Sequence, residues 1–153
     1  MSGRWTKEND IKHNNITLNL SKNKKNIKLY FNDYRNFGTL MYQNKEELDK
    51  KLNSLGVDIL MDYKNIEQFK KNLERKRNDS MISTALLDQK VAAGCGNYLR
   101  AETLYHSKIS PFRLIKDLSE NDIETIWYNL TRIAWIFYDI DKAIKLKIIN
   151  KKD

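Results

Sequence analysis

The stretch LLDQKVAAGCGNYLRAETLYHSKISPF (residues 86–112) concentrates what is unusual in this chain. The whole sequence holds five glycines; two of them, Gly94 and Gly96, flank the only cysteine here, and Asn97 follows at once. Apolar periodicity on either side predicts helices over 82–91 and 97–107, the first ending near Gly94 and the second stopped by Pro111. Two helices joined by a glycine-bearing turn make a hairpin corner. Spacing alone leaves two readings open. A helix N-terminus presents unpaired N–H groups and a partial positive charge, so it can hold a phosphate. Glycines before it would allow positive φ and a close approach of a nucleic-acid backbone. Asn97 would then cap the helix or donate its amide to a phosphate oxygen. The plainer reading is an ordinary corner with an Asn cap.

Downstream, Ser119 stands three residues before Asp122, a capping box with Asp in the acidic place. The apolar stripe Ile123, Ile126, Trp127, Leu130, Ile133, Ala134 and Phe137 then predicts a long helix packed into a core. Upstream, Ile66, Phe69 and Leu73 suit one helix, and Leu48, Leu52 and Leu55 suit another that Gly56 would end. Before residue 45 the period changes to two. Ile16, Leu18 and Leu20 alternate with polar residues, as do Ile27, Leu29 and Phe31 after the polar stretch SKNKKN (21–26), predicting a hairpin with a loop longer than the tightest turns. Residues 38–42 are the expected third strand. Strands followed by helices give an α+β chain, and the change of period divides it into 1–43 and 44–153.

The 153 residues are 41% hydrophobic, enough for a core, and carry a formal net charge of +8. Such a balance favours acidic partners, nucleic acid first, although Lys, Asn and Ile also accumulate under AT-rich coding bias. A single cysteine excludes an internal disulfide and a Cys-rich zinc site within the chain, and two distant histidines add no ligand set. No long apolar run suggests a membrane span. The expectation is a soluble, intracellular protein with no metal of its own and no membrane partner.

The string 86–112 resembles the helix–two-turn–helix segment of the formamidopyrimidine-DNA glycosylase and endonuclease VIII family. Its GNYLRAE run is especially similar to the endonuclease VIII-like branch found in animals and some large DNA viruses. MSGRW at the start resembles the family's Met-Ser/Thr-Gly turn, NDYRNFG (32–38) its N-D-x-R-x-F-G motif, and LGVDIL (55–60) its linker into the helical domain. The matches fall in the family's order and span almost the whole chain. The resemblance implies the C-terminal part of a β-sandwich domain followed by an all-helical helix–two-turn–helix DNA-binding domain. It implies a base-excision-repair DNA glycosylase and AP lyase acting on oxidised bases, with double-stranded damaged DNA as partner.

Residue by residue, the resemblance implies that Met1, Arg35 and Phe37 fill the gap left when a damaged nucleotide is flipped out of the duplex. An apolar wedge would stack on exposed base faces, and the guanidinium fork would bond the orphaned base. It implies that Gly94, Gly96 and Asn97 grip the phosphate backbone. Asp88 and Glu102 are expected to support the turn, Glu102 by tying it to the following helix. Cys95 is expected to be a small buried hydrophobe rather than a nucleophile. Asn36 stands where many members have a second Arg, and Ser83 where many bacterial members have Lys.

The family's nucleophile is an N-terminal proline amine beside a glutamate, a form of covalent amine catalysis. The only proline here is Pro111, so no catalytic residue is expected among these residues. The start of the chain resembles the middle of the catalytic domain, and its end, KLKIINKKD, precedes the zinc or zincless finger of the family. The expectation is a fragment without cofactor, inactive alone. Its alternatives are a non-catalytic DNA-binding remnant, or half of a split glycosylase whose missing segment a separate polypeptide supplies.

Overall fold

The computed structural model describes residues 3–9, 12–23, 25–36 and 38–145, with 141–145 as backbone only. Contacts divide the chain into two compact units, 1–44 and 45–153.

The first unit is a three-stranded antiparallel sheet of β1 (Arg4–Thr6), β2 (Asn14–Lys22) and β3 (Lys25–Asn32), ordered β1-β3-β2. The hairpin is tighter than its sequence suggests. Pairing runs to Lys22 opposite Lys25, leaving two residues between the strands, and Asn23 takes a φ of 51°. Asn tolerates this left-handed conformation better than most residues. Ser21, Lys22 and Asn26 therefore belong to the ladder rather than to a loop. The expected strand over 38–42 does not form. The second edge of β3 is taken by β1, through Arg4 opposite Asn32 and Thr6 opposite Tyr30.

The second unit holds α1 (Lys45–Asn53), β4 (Val57–Asp58), α2 (Ile66–Glu74), α3 (Ile82–Leu87), β5 (Ala92–Ala93), α4 (Asn97–His106), a 3-10 turn at Ile115–Asp117 and α5 (Glu120–Lys145). Asn65 caps α2 by accepting from the Gln68 N–H at 3.2 Å. The capping box of α5 is reciprocal: Ser119 Oγ accepts from the Asp122 N–H at 3.1 Å, and Asp122 Oδ2 accepts from the Ser119 N–H at 2.9 Å. Core packing of the α5 stripe holds at Ile126, Trp127, Leu130 and Ala134, which are buried with Phe69, Leu73, Ile82 and Leu86, while Ile123 packs against them half-buried and Ile133 is also buried. Trp127 stacks on Phe69 at a centroid distance of 4.8 Å and donates its indole N–H to the Tyr63 carbonyl at 2.9 Å. Phe137 departs from the expectation. It is 63% exposed and meets Tyr98 edge-on, because the stripe outruns the elements that cover it; at Asp139 the helix breaks, with φ −166° and ψ 95°.

α1 also departs from its reading as an apolar-faced packing helix. It ends at Asn53, short of Leu55, and buries none of its residues, so Leu48 and Leu52 stay exposed. Among the described residues no helix is long and apolar enough to cross a membrane.

Candidate nucleic-acid interface

The predicted helix over 82–91 stops four residues early, at Leu87. Asp88 causes the stop. Its backbone is extended at ψ 113°, and its Oδ1 accepts from the Lys90 N–H at 2.8 Å, a local bond that competes with helix continuation. Its other oxygen pairs with Lys76. That pairing, then the Lys90 bond, holds the Asp88 carboxyl below the usual carboxylate range. The freed chain lays Ala92–Ala93 in parallel beside Val57–Asp58. The LGVDIL segment therefore supports the turn from below: the Gly56 N–H donates to the Gln89 carbonyl at 2.7 Å, so closely that a Cβ on Gly56 would sit 2.5 Å from the Val91 carbonyl.

The two glycines that flank Cys95 do different jobs. Gly94 has φ +94°, the region where a side chain is strained, and it turns the chain toward α4. Gly96 has φ −107° and ψ −178°, extended backbone that any residue adopts, and a Cβ there would meet nothing within 4 Å. Folding requires Gly94; Gly96 leaves the surface bare. Between them Cys95 is buried, and burial pushes its thiol pKa up to about 11. It is the hydrophobic anchor of the turn and unsuited to nucleophilic work.

Gly96 is the N-cap of α4, and no side chain caps the helix. Asn97 therefore does not cap; it is the first helical residue, exposed, and its side chain makes no hydrogen bond among the described residues. The result is an open helix N-terminus on a bare glycine, with an amide side chain beside it and no acidic residue in the first turn. Such an end attracts anions through its free N–H groups and dipole.

Sequence reasoning missed the residue that braces this turn. Gln89 accepts from the Gly94 N–H at 2.9 Å and donates to the Cys95 carbonyl at 2.9 Å and the Leu87 carbonyl at 3.2 Å. It spans the turn from one side to the other while itself exposed. Glu102, expected to tie the turn to α4, instead lies 3.8 Å from His106 on its own helix. The available signal was a polar Gln next to Asp88 at the end of an apolar run, which reads equally well as a helix surface.

Residues 55–149 match the model of the formamidopyrimidine-DNA glycosylase H2TH domain. The chain belongs to this family. Its H2TH domain includes the Gln89-braced turn and α4 and begins at the LGVDIL segment. The chain is 37% identical over 120 residues to a formamidopyrimidine-DNA glycosylase of Oceanobacillus iheyensis, covering 77% of this chain and 41% of that protein. It is 33% identical over 131 residues to one from Rickettsia bellii, covering 82% and 46%. Among solved structures it is similar to the Lactococcus lactis Fpg complexed with abasic-site DNA, with a TM-score of 0.69 and 25% identity over 95% of this chain and 52% of that one. The chain thus spans about half the length of the relatives it matches.

Of the other residues singled out, Arg35 lies on a turn of the first unit that buried Asp33 organises. Asp33 accepts from the Arg35 N–H at 3.2 Å and from the Gly38 N–H at 2.7 Å. Asn36 follows with φ +52° and bonds to Asn15. Arg35 itself is exposed. Met1 and Phe37 lie outside the described residues. Ser83 is half-buried near the start of α3. Among the described residues no cluster of three or more His, Cys, Asp or Glu could hold a metal.

Proposed function

We propose that this chain is the DNA-holding part of a base-excision-repair DNA glycosylase and AP lyase of the endonuclease VIII-like branch. The observation that carries the reading is the open N-terminus of α4, preceded by a Gly96 that the fold does not need and flanked by an Asn97 that caps nothing. Gly94, Gly96 and Asn97 would hold phosphates of damaged double-stranded DNA. Asp88 and Gln89 would keep the turn in shape, and Met1, Arg35 and Phe37 would fill the space of the flipped nucleotide. The net charge of +8 supports an anionic partner, and the GNYLRAE run supports the branch.

The amine nucleophile and the zinc or zincless finger of that family would come from residues other than these 153. The segment with the nucleophile would lie on the same polypeptide or on a separate one. A DNA-binding remnant without catalysis is the second reading, favoured by a helical unit that has a core of its own.

The test is binding of a labelled duplex with an abasic-site analogue. Affinity is expected to fall steeply between about 50 and about 200 mM salt, and Asn97→Ala to cost about tenfold through one lost charged hydrogen bond. Salt-insensitive binding, or an Asn97→Ala variant equal to the parent, would overturn the assignment. Strand cleavage gained on adding a polypeptide with the Pro-Glu start would separate a split enzyme from a remnant.

A further inference from the structure

One face of α4 carries more than Asn97. Asn97, Arg100, Ala101 and Leu104 recur at helical spacing, so they share that face. Beyond Asn97 it opens into a hollow of about 790 Å³ between α4 and the chain that follows it, lined by Arg100, Leu104, Tyr105, Lys108, Pro111 and Phe112. The far wall is firmly held. Lys108 reverses the chain at φ +56°. The Ile109 N–H bonds the Leu104 carbonyl at 3.1 Å, and the Arg113 carbonyl accepts from the Ile82 N–H at 2.9 Å.

Two features of this hollow are unexplained by folding. Tyr105 and Phe112 are 78% and 74% exposed, so the fold leaves both ring faces available. Neither Arg100 nor Lys108 makes an ion pair among the described residues, so both charges are free to meet an anion. Exposed rings on rigid backbone, between unpaired cations, form a stacking platform in an electropositive groove, the arrangement that holds unpaired nucleotides. A duplex offers its phosphates to such cations but keeps its base faces stacked, so the rings would go unused.

We propose that this hollow is a binding site for single-stranded nucleic acid, in which Phe112 and Tyr105 stack on unpaired bases while Arg100 and Lys108 hold the adjoining phosphates. The site begins on the same face of α4 as Asn97, so one strand can pass from the glycine turn into the groove. It extends the proposed duplex grip, and it is read by a different probe.

The test is fluorescence anisotropy of the full chain with three labelled probes. These are a single-stranded oligo(dT) of about twelve nucleotides, a chain of equal length made of base-less sites, and the abasic-site duplex. Phe112→Ala is expected to weaken oligo(dT) by about tenfold, the worth of one stacked base, and to leave the other two probes unchanged. Phe112→Trp should restore oligo(dT) binding, and Arg100→Ala should weaken both single-stranded probes. The proposal is overturned if Phe112→Ala matches the parent on oligo(dT), or if the base-less chain binds as tightly as oligo(dT). It is also overturned if polyglutamate displaces oligo(dT) at equal charge, which would mark the groove as a site for acidic protein. Failure of the duplex reading shows separately, in the Asn97→Ala variant on the duplex probe.

Discussion

The two units bury their apolar residues differently. Every buried hydrophobic residue among those described falls between Val57 and Trp135, in the helical unit. In the sheet unit the buried residues are Asn32 and Asp33, which are polar. The sheet does have an apolar face. Ile16, Leu18 and Leu20 pair across the ladder with Phe31, Leu29 and Ile27, and directly paired residues point the same way. Trp5 joins them against Phe31 at 5.1 Å. Yet Trp5, Leu18, Leu20 and Ile27 are all exposed. The helical unit closes its core with its own elements, whereas three strands without a covering layer cannot. Stability and fold therefore reside in residues 57–135, and the sheet contributes surface.

The sharpest way to break this comparison is a pair of truncations. Leu130→Ala, at a fully buried position, is expected to cost about 4 kcal/mol by urea unfolding. Leu18→Ala, on the open sheet face, should cost less than about 1 kcal/mol. Equal losses would mean that the sheet face is covered in solution. A smaller effect, of about 2 to 3 kcal/mol, is expected for Gly56→Ala, whose new methyl would overlap the Val91 carbonyl. Because Gly56 also supports the turn through Gln89, duplex binding should fall with it; unchanged stability would show that the linker can move away.

The smallest effect sharpens the role of Asp88. Its folded pKa is lowered, chiefly by Lys76. The stability it contributes is present above the unfolded carboxylate pKa of about 4 and is lost as pH falls through the folded value. Asp88→Asn should therefore lower stability by a constant amount above about pH 5, and the gap should close below about pH 4. A gap that persists in acid would assign the effect to shape rather than charge.

Much of this was legible in the residues. The period of two in β2 and β3, the Ser119–Asp122 box and the buried part of the α5 stripe each follow from spacing, because a side chain's face is set by its own backbone period. What spacing missed was decided by neighbours. Three residues, Arg4–Thr6, are too few to show a period, and they form a strand only because the free edge of β3 is there to pair with. The loop of the hairpin was overestimated because Ser, Lys and Asn read as turn residues yet sit comfortably in a solvated ladder. Phe137 kept the right spacing but ran past the elements that bury its stripe.

The sequence by itself determined that strands precede helices, that a glycine turn opens α4, and that the family motifs occur in order. Those properties depend on local backbone preference and on residues close along the chain. Only the tertiary structure decided that Gly94 bends the chain while Gly96 merely leaves space, that Gln89 rather than Glu102 braces the turn, and that Arg100, Tyr105 and Phe112 line one hollow. A φ angle, the room around a missing Cβ and the convergence of distant side chains are set by packing between segments, which the order of residues does not display.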